Sequence, residues 1–111
     1  MKRYKAVTKY VRVSPRKARL AAGLIRGKKV TEAVEQLRFA NSKGSRLLIR
    51  TLHSAVANAE LQGDLRKESL IVSEVRVDEG PRLKRAKPRS RGSRHPIVKK
   101  TSHFTVAVAA E

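Results

Sequence analysis

Apolar residues along this chain follow two rhythms, one helical and one of period two, and the switches between them mark the elements. From Lys5 to Val13 they alternate, with Val7, Val11 and Val13 on one side and Thr8, Tyr10 and Arg12 on the other. That pattern predicts a half-buried strand. Ser14-Pro15 then reads as a helix start, because a hydroxyl can cap free N–H groups and proline suits the first helical position. Ala18, Ala21, Ala22 and Ile25 repeat at helical spacing behind it, and Gly27 can end that helix. A second helix is predicted from Thr31, with Glu32 and Glu35 at its positive end and Val30, Ala33, Val34 and Leu37 as its apolar stripe. Asn41-Ser42 breaks it and caps a third helix of roughly 20 residues ending near Gly63. Leu48, Leu52, Ala55, Val56 and Ala59 face the core from that helix, while Arg46 and Arg50 share an exposed face one turn apart.

After Asp64 to Glu68 the rhythm returns to two. Leu70 to Val77 reads as a strand, with Val75 and Val77 alternating against Arg76 and Asp78. Phe104, Val106 and Val108 alternate with Thr105 and Ala107 in another. Phe104 and Phe39 are both expected in the core. Three strands and three helices predict an α+β fold, a small three-stranded antiparallel sheet packed on three helices, with a long protruding β-hairpin. At 111 residues the chain is one domain, residues 1–111, without internal repeats.

Charge changes this picture most. The net charge is +18, which opposes compaction unless a polyanion neutralises it, and nucleic acid is the usual one. The charge is also segregated. Residues 1–29 hold eleven Lys or Arg and no acid, residues 30–81 hold seven bases against eight acids, and residues 82–100 hold nine bases and no acid. A solubility device would scatter both signs, so the two acid-free stretches read as binding faces. Arg16, Lys17 and Arg19 crowd the first turns of the first helix, where the helix dipole disfavours cations. They are expected to answer to something outside that helix.

The stretch from Gly80 to Thr101 is too long for an ordinary loop in a compact domain, and such stretches are usually functional or disordered. Its flanking strands should pair antiparallel and continue outward as an extended basic hairpin over residues 81–102, turning at Ser90-Arg91-Gly92-Ser93. Arms of about ten residues would reach roughly 30 Å. Pro88 and Pro96 keep either arm from being a regular central strand. The alternative is a disordered basic segment placed internally; pinning at both ends and the absence of low-complexity repetition favour the hairpin. Fifteen of the 27 bases are Arg, whose planar fork grips phosphates, and aromatics are few. Contacts to phosphate, sugar and RNA shape should therefore outweigh base stacking.

Chemistry for catalysis is not evident. There is no cysteine, and His53, His95 and His103 lie at no metal-ligand spacing, so no metal and no cofactor are expected. Asp78-Glu79 and Ser102-His103 are neighbours on strands, where adjacent side chains point to opposite faces. No enzyme is expected. The longest apolar runs, Leu20 to Ile25 and Val106 to Ala110, fall far short of the roughly 20 residues of a membrane helix, and a soluble intracellular protein is expected.

Val13-Ser-Pro-Arg-Lys-Ala-Arg-Leu20 followed by Leu24-Ile-Arg-Gly-Lys-Lys-Val30 resembles the first helix of the bacterial large-subunit ribosomal protein family L-twenty-two. Ser54-Ala-Val-Ala-Asn-Ala-Glu60 resembles its third helix. Val77-Asp-Glu-Gly-Pro81, Leu83-Lys-Arg85, Pro88-Arg89, Gly92 and Lys100-Thr-Ser-His103 resemble its hairpin and closing strand. The resemblance runs in order from about residue 10 to residue 109. It implies a structural constituent of the large subunit, in the cytoplasm, that binds large-subunit ribosomal RNA, helps early assembly, and lines the nascent-polypeptide exit tunnel with its hairpin.

The implied RNA-binding residues are Arg12, Ser14, Arg16, Lys17, Arg19, Lys28 and Lys29 on the globular part, and Arg82, Lys84, Arg85, Lys87, Arg89, Arg91, Arg94, Lys99 and Lys100 on the hairpin. Arg89, Ser90, Arg91, Gly92, Ser93 and Arg94 would form the tunnel-lining tip, with Ser93 and His95-Pro96 departing from the more basic family pattern. Neighbouring large-subunit ribosomal proteins and the nascent polypeptide are implied partners, no membrane is, and the protein would be a monomer within the ribosome. A DNA-compacting ribbon protein ranks below this reading, because Arg89 to Arg94 offers no apolar wedge. A membrane-active cationic protein ranks lower still, because the third helix lacks a basic face with aromatic anchors.

Overall fold

The computed structural model describes residues 2–88 and 94–110. In chain order the elements are β1 (Arg3–Val11), α1 (Pro15–Ile25), α2 (Val30–Ala40), α3 (Lys43–Gly63), β2 (Leu70–Glu79), β3 (Leu83–Pro88), β4 (Arg94–Lys99) and β5 (Ser102–Ala110), with one turn of 3-10 helix at Lys67–Ser69. β5 is the centre of an antiparallel sheet ordered β1-β5-β2, and β3 pairs with β4 in a separate two-stranded sheet. The predicted α+β architecture of three helices on a three-stranded sheet is borne out, and its element boundaries fall within a few residues of those read from the sequence.

Phe104, Val106 and Val108 of β5 meet the helices, among them Ala18, Ala22 and Ile25 of α1, Leu37 of α2 and Leu48, Leu52 and Ala59 of α3, all fully buried. Thr105, Ala107 and Ala109 point to the sheet's other face. Their small size lets Arg3 reach across β5 to Glu74 at 3.4 Å, over the positions where Arg3 pairs with Ala109 and Glu74 with Ala107.

Both outer strands carry an irregularity that resets their alternation. On β1 the register shifts between Thr8 and Val11, where Tyr10 takes φ 59°; on β2 it shifts between Val72 and Glu74. The inward set on β1 therefore changes from Tyr4 and Ala6 to Val11 and Val13. Val7, expected with Val11 on the core side, instead faces outward at 51% exposure. A bulge moves every later side chain to the opposite face, and strict alternation cannot anticipate one.

Two further expectations are corrected. Phe39 is 93% exposed near the end of α2, outside the stripe of Val30, Ala33, Val34 and Leu37 that faces the core. Ser14 stands at the cap of α1 without a capping side-chain bond; its carbonyl accepts the Ala18 N–H at 3.0 Å, while Pro15 occupies the first helical position. The Ser42 hydroxyl does cap α3, accepting the Ser45 N–H at 3.1 Å, and left-handed Asn41 ends α2.

The hairpin leaves the sheet at a fixed root. The Gly80 N–H donates to the Thr101 carbonyl at 2.9 Å, and the Thr101 hydroxyl donates to the Pro81 carbonyl at 2.6 Å. A Cβ on Gly80 would stand 2.5 Å from the Thr101 hydroxyl, so only glycine fits there. Among the described residues, paired register then runs from Leu83↔Lys99 to Pro88↔Arg94, six residues on each strand. The expected turn at Ser90 to Ser93 lies outside the described residues. The radius of gyration, 16.9 Å, exceeds the roughly 13 Å of a compact chain this long, and the long axis extends 62 Å.

Candidate nucleic-acid interface

The β1–α1 junction sets the first cations in place. The Ser102 hydroxyl, fully buried on β5, donates to the Val13 carbonyl at 2.7 Å, and the Val13 N–H donates to the Val11 carbonyl at 2.9 Å. This anchors the turn between Arg12 and Ser14. Helix α3 then approaches α1 closely, because Gly44 has no Cβ: one added there would lie 3.3 Å from the Ala18 Cα. The close approach brings Lys43, at the start of α3, beside Lys17 on α1. The hairpin root delivers Lys99 and Lys100 to the same place.

These elements enclose an open groove of about 880 Å³. Arg12, Lys17, Lys43, Lys99 and Lys100 are its cations, and no acidic residue lines it. Its remaining lining includes Leu20, Ala21, Leu24 and Ala40 as an apolar floor and the hydroxyls of Ser14, Ser42 and Ser45. Such a surface can hold phosphates by charge and bury something apolar between them.

Residues 6–109 match the family model described as Ribosomal protein L22p/L17e. The chain is 68% identical over 105 residues to the large ribosomal subunit protein uL22 of Protochlamydia amoebophila, covering 95% of each chain. It is 59% identical to the protein of the same name from Chlamydia abortus and 55% to that of Chlamydia trachomatis serovar L2, again over 95% of each chain. The chain belongs to the ribosomal protein L22p/L17e family.

Against the binding residues implied by the L22p/L17e resemblance, the groove gathers Arg12, Ser14, Lys17, Lys99 and Lys100. Arg16 is exposed near the start of α1, outside the groove lining. Arg19 is engaged within the protein: its Nε and Nη2 both donate to the Val77 carbonyl, at 3.2 and 3.1 Å. Arg26 donates from Nη2 alone to the Val75 carbonyl at 2.8 Å. The two guanidinium groups close the free edge of β2, which explains one cation at the start of α1 without an outside ligand. The Lys28 carbonyl accepts the Val72 N–H at 2.8 Å while the Gly27 N–H donates to the Val72 carbonyl at 3.1 Å, and Lys29 bridges to Ile71. Arg82 pairs with Glu79 at 2.9 Å on the surface. Lys84, Arg85 and Lys87 are on β3 and Arg94 on β4, opposite Val98, Ile97, His95 and Pro88. Arg89, Ser90, Arg91, Gly92 and Ser93 lie outside the described residues.

Sequence reasoning missed Lys43, Leu20 and Leu24. Lys43 falls in the near-neutral middle of the chain, where net charge hides it, and only the Ala18–Gly44 contact brings it to the groove. Among the described residues, no group of His, Asp and Glu is placed to hold a metal ion. His103 is tied into the fold, accepting the Tyr10 N–H on Nδ1 at 3.1 Å with the Tyr10 ring edge-on to it at 5.1 Å. His53 on α3 has its pKa lowered from 6.5 by partial burial first, then by Lys67 and Arg38. Among the described residues, no helix is long and apolar enough to cross a membrane.

Proposed function

We propose that this chain is a structural constituent of the large ribosomal subunit, in the cytoplasmic ribosome, where it binds large-subunit ribosomal RNA. It is a ribosomal protein and not an enzyme, in keeping with the family and the names its relatives carry. The observation that carries this reading is the groove at the hairpin root, with five cations and no acid along its lining. Binding there and along the hairpin draws its affinity from phosphate neutralisation. Arg12, Ser14, Lys17, Lys99 and Lys100 hold RNA in the groove; Arg16, Lys28 and Lys29 extend that contact along the body. Arg82, Lys84, Arg85, Lys87, Arg89, Arg91 and Arg94 carry it along the hairpin. Arg19 drops out of the set as a structural clamp.

The hairpin over residues 81–102 lines the exit tunnel, its tip from Arg89 to Arg94 facing the nascent polypeptide. The protein acts early in subunit assembly, as a monomer among neighbouring ribosomal proteins. A protein of this kind co-sediments with large subunits and leaves them only in strong salt or denaturant. Free cytosolic protein beside large subunits that lack it would overturn the reading. The purified chain should also bind folded ribosomal RNA more tightly than duplex DNA at equal salt; the reverse order would favour a DNA-compacting role.

A further inference from the structure

We infer that the groove between α1, the start of α3 and the hairpin root takes an unpaired RNA nucleotide, its base on Leu20 and Leu24 and its phosphates on the surrounding cations. This rests on the RNA-binding reading above and specifies the form of RNA.

The argument starts from the two leucines. They lie one turn apart on α1, at positions where a helix shows neighbouring side chains on one stripe. Leu20 is 73% exposed and Leu24 38%, on a helix whose other exposed side chains include Arg16, Lys17 and Arg19. Phosphate binding alone does not call for that stripe. A paired helix offers phosphates and sugar edges to a protein surface and keeps its base faces stacked away inside. An unpaired nucleotide instead offers an apolar base face with a charged phosphate on either side of it.

The groove matches both parts. Its floor is aliphatic, and Lys17, Lys43 and Lys100 stand around it without any acidic neighbour in the lining. An RNA strand brings one negative charge with every nucleotide, as this wall requires, whereas a peptide would need carboxylates interleaved among apolar residues. The volume, about 880 Å³, lies within the range of small-ligand sites, roughly 300–1,000 Å³. No aromatic residue lines the groove, so the base is held by apolar contact and is sequence-tolerant.

The test uses the full chain and fluorescence anisotropy at one fixed salt concentration. The probes are two labelled RNA duplexes of equal length, one perfect and one with a single bulged adenosine, and a duplex DNA of that length. The bulged RNA should bind about tenfold more tightly than the perfect one, the scale of roughly 55 Å² of apolar surface removed from water. The double variant Leu20→Ala, Leu24→Ala should bring that ratio close to one. Both sites are exposed on a helix, and alanine favours helix, so the variant should fold. Phe39→Ala, which removes an equally exposed apolar side chain outside the groove, should keep the ratio. Equal binding of the two RNA duplexes, or a preference that survives the double variant, overturns the inference and leaves the floor to a protein segment. Tighter binding of the DNA than of either RNA would instead overturn the ribosomal RNA reading itself.

Discussion

Replacing residues 84–98 with Asn-Gly should leave a domain that melts as cooperatively as the parent and no earlier. Leu83 and Lys99 are Cα partners at the hairpin root, so a two-residue turn can join them in place. Asn-Gly supplies the left-handed angles that the commonest such turns require. The excised segment belongs to a two-stranded sheet separate from β1-β5-β2. Shortening the connection from about fifteen residues to two lowers its closure cost by up to about 2 kcal/mol, since that entropy grows as (3/2)RT ln n. The change also removes six bases and no acid, which relieves self-repulsion. With about 4–8 °C of midpoint shift per kcal/mol in a small domain, the melting temperature should hold or rise by up to about 10 °C. Far-ultraviolet circular dichroism reads the transition directly. A midpoint lower by more than about 5 °C, or a melt with no cooperative step, would refute the division into a folded body and an extension.

Arg19→Ala should destabilise the fold by about 1–2 kcal/mol, because it strands the Val77 carbonyl at the β2 edge; urea unfolding measures this, and a neutral result would return Arg19 to the RNA-contact set. Arg19→Lys should recover only part of the loss, since an ammonium cannot fork onto one carbonyl as a guanidinium does. The lowered pKa of His53 means the unfolded chain takes up its proton first, so this residue's contribution to stability is intact above pH 6.5 and is lost as pH falls through the folded value. His53→Gln should flatten that slope in thermal melts between pH 7 and pH 5 (roughly the range over which His titrates), and an unchanged slope would count against the burial argument. Raising salt from about 20 to 200 mM should stabilise the free protein, whose excess of cations repels itself, while weakening its RNA binding. Thermal melts and anisotropy titrations taken in the same buffers should therefore move in opposite directions.

The elements were legible in the sequence because the apolar repeats are regular wherever one face of an element is buried. The stripes Val30-Ala33-Val34-Leu37 and Leu48-Leu52-Ala55-Val56-Ala59 are buried as the helical spacing requires. What failed was local. The Tyr10 bulge flips the phase of β1, and neither Lys9 nor Tyr10 is a residue that signals left-handed backbone. Phe39 reads as core by size alone, yet a helix packed on one side leaves the opposite side open whatever stands there. Of the groove, the cations before and within α1 and at the hairpin root could be read from charge runs. Lys43 could not, because its place depends on a glycine that lets two helices approach, a contact across 26 residues of sequence between Ala18 and Gly44.

The placement of the acids accounts for why the groove is so one-sided. Glu74, Asp78 and Glu79 are spent on Arg3, Arg76 and Arg82, in pairs that lie across the outer sheet face and beside the hairpin root. These pairs are exposed, so each contributes little to stability. Their larger effect is on the distribution of charge: they bring the sheet face towards neutrality and leave the groove lining with no carboxylate. A body charged on one side presents that side to a polyanion before contact, which orients the approach as well as strengthening it. The groove is meanwhile set by contacts that exist without RNA, the Ser102–Val13 hydrogen bond and the Ala18–Gly44 approach. Docking through the body therefore requires little reordering. A two-stranded hairpin is marginal in water by itself, so RNA held at the groove as proposed would favour the β3–β4 pairing by proximity.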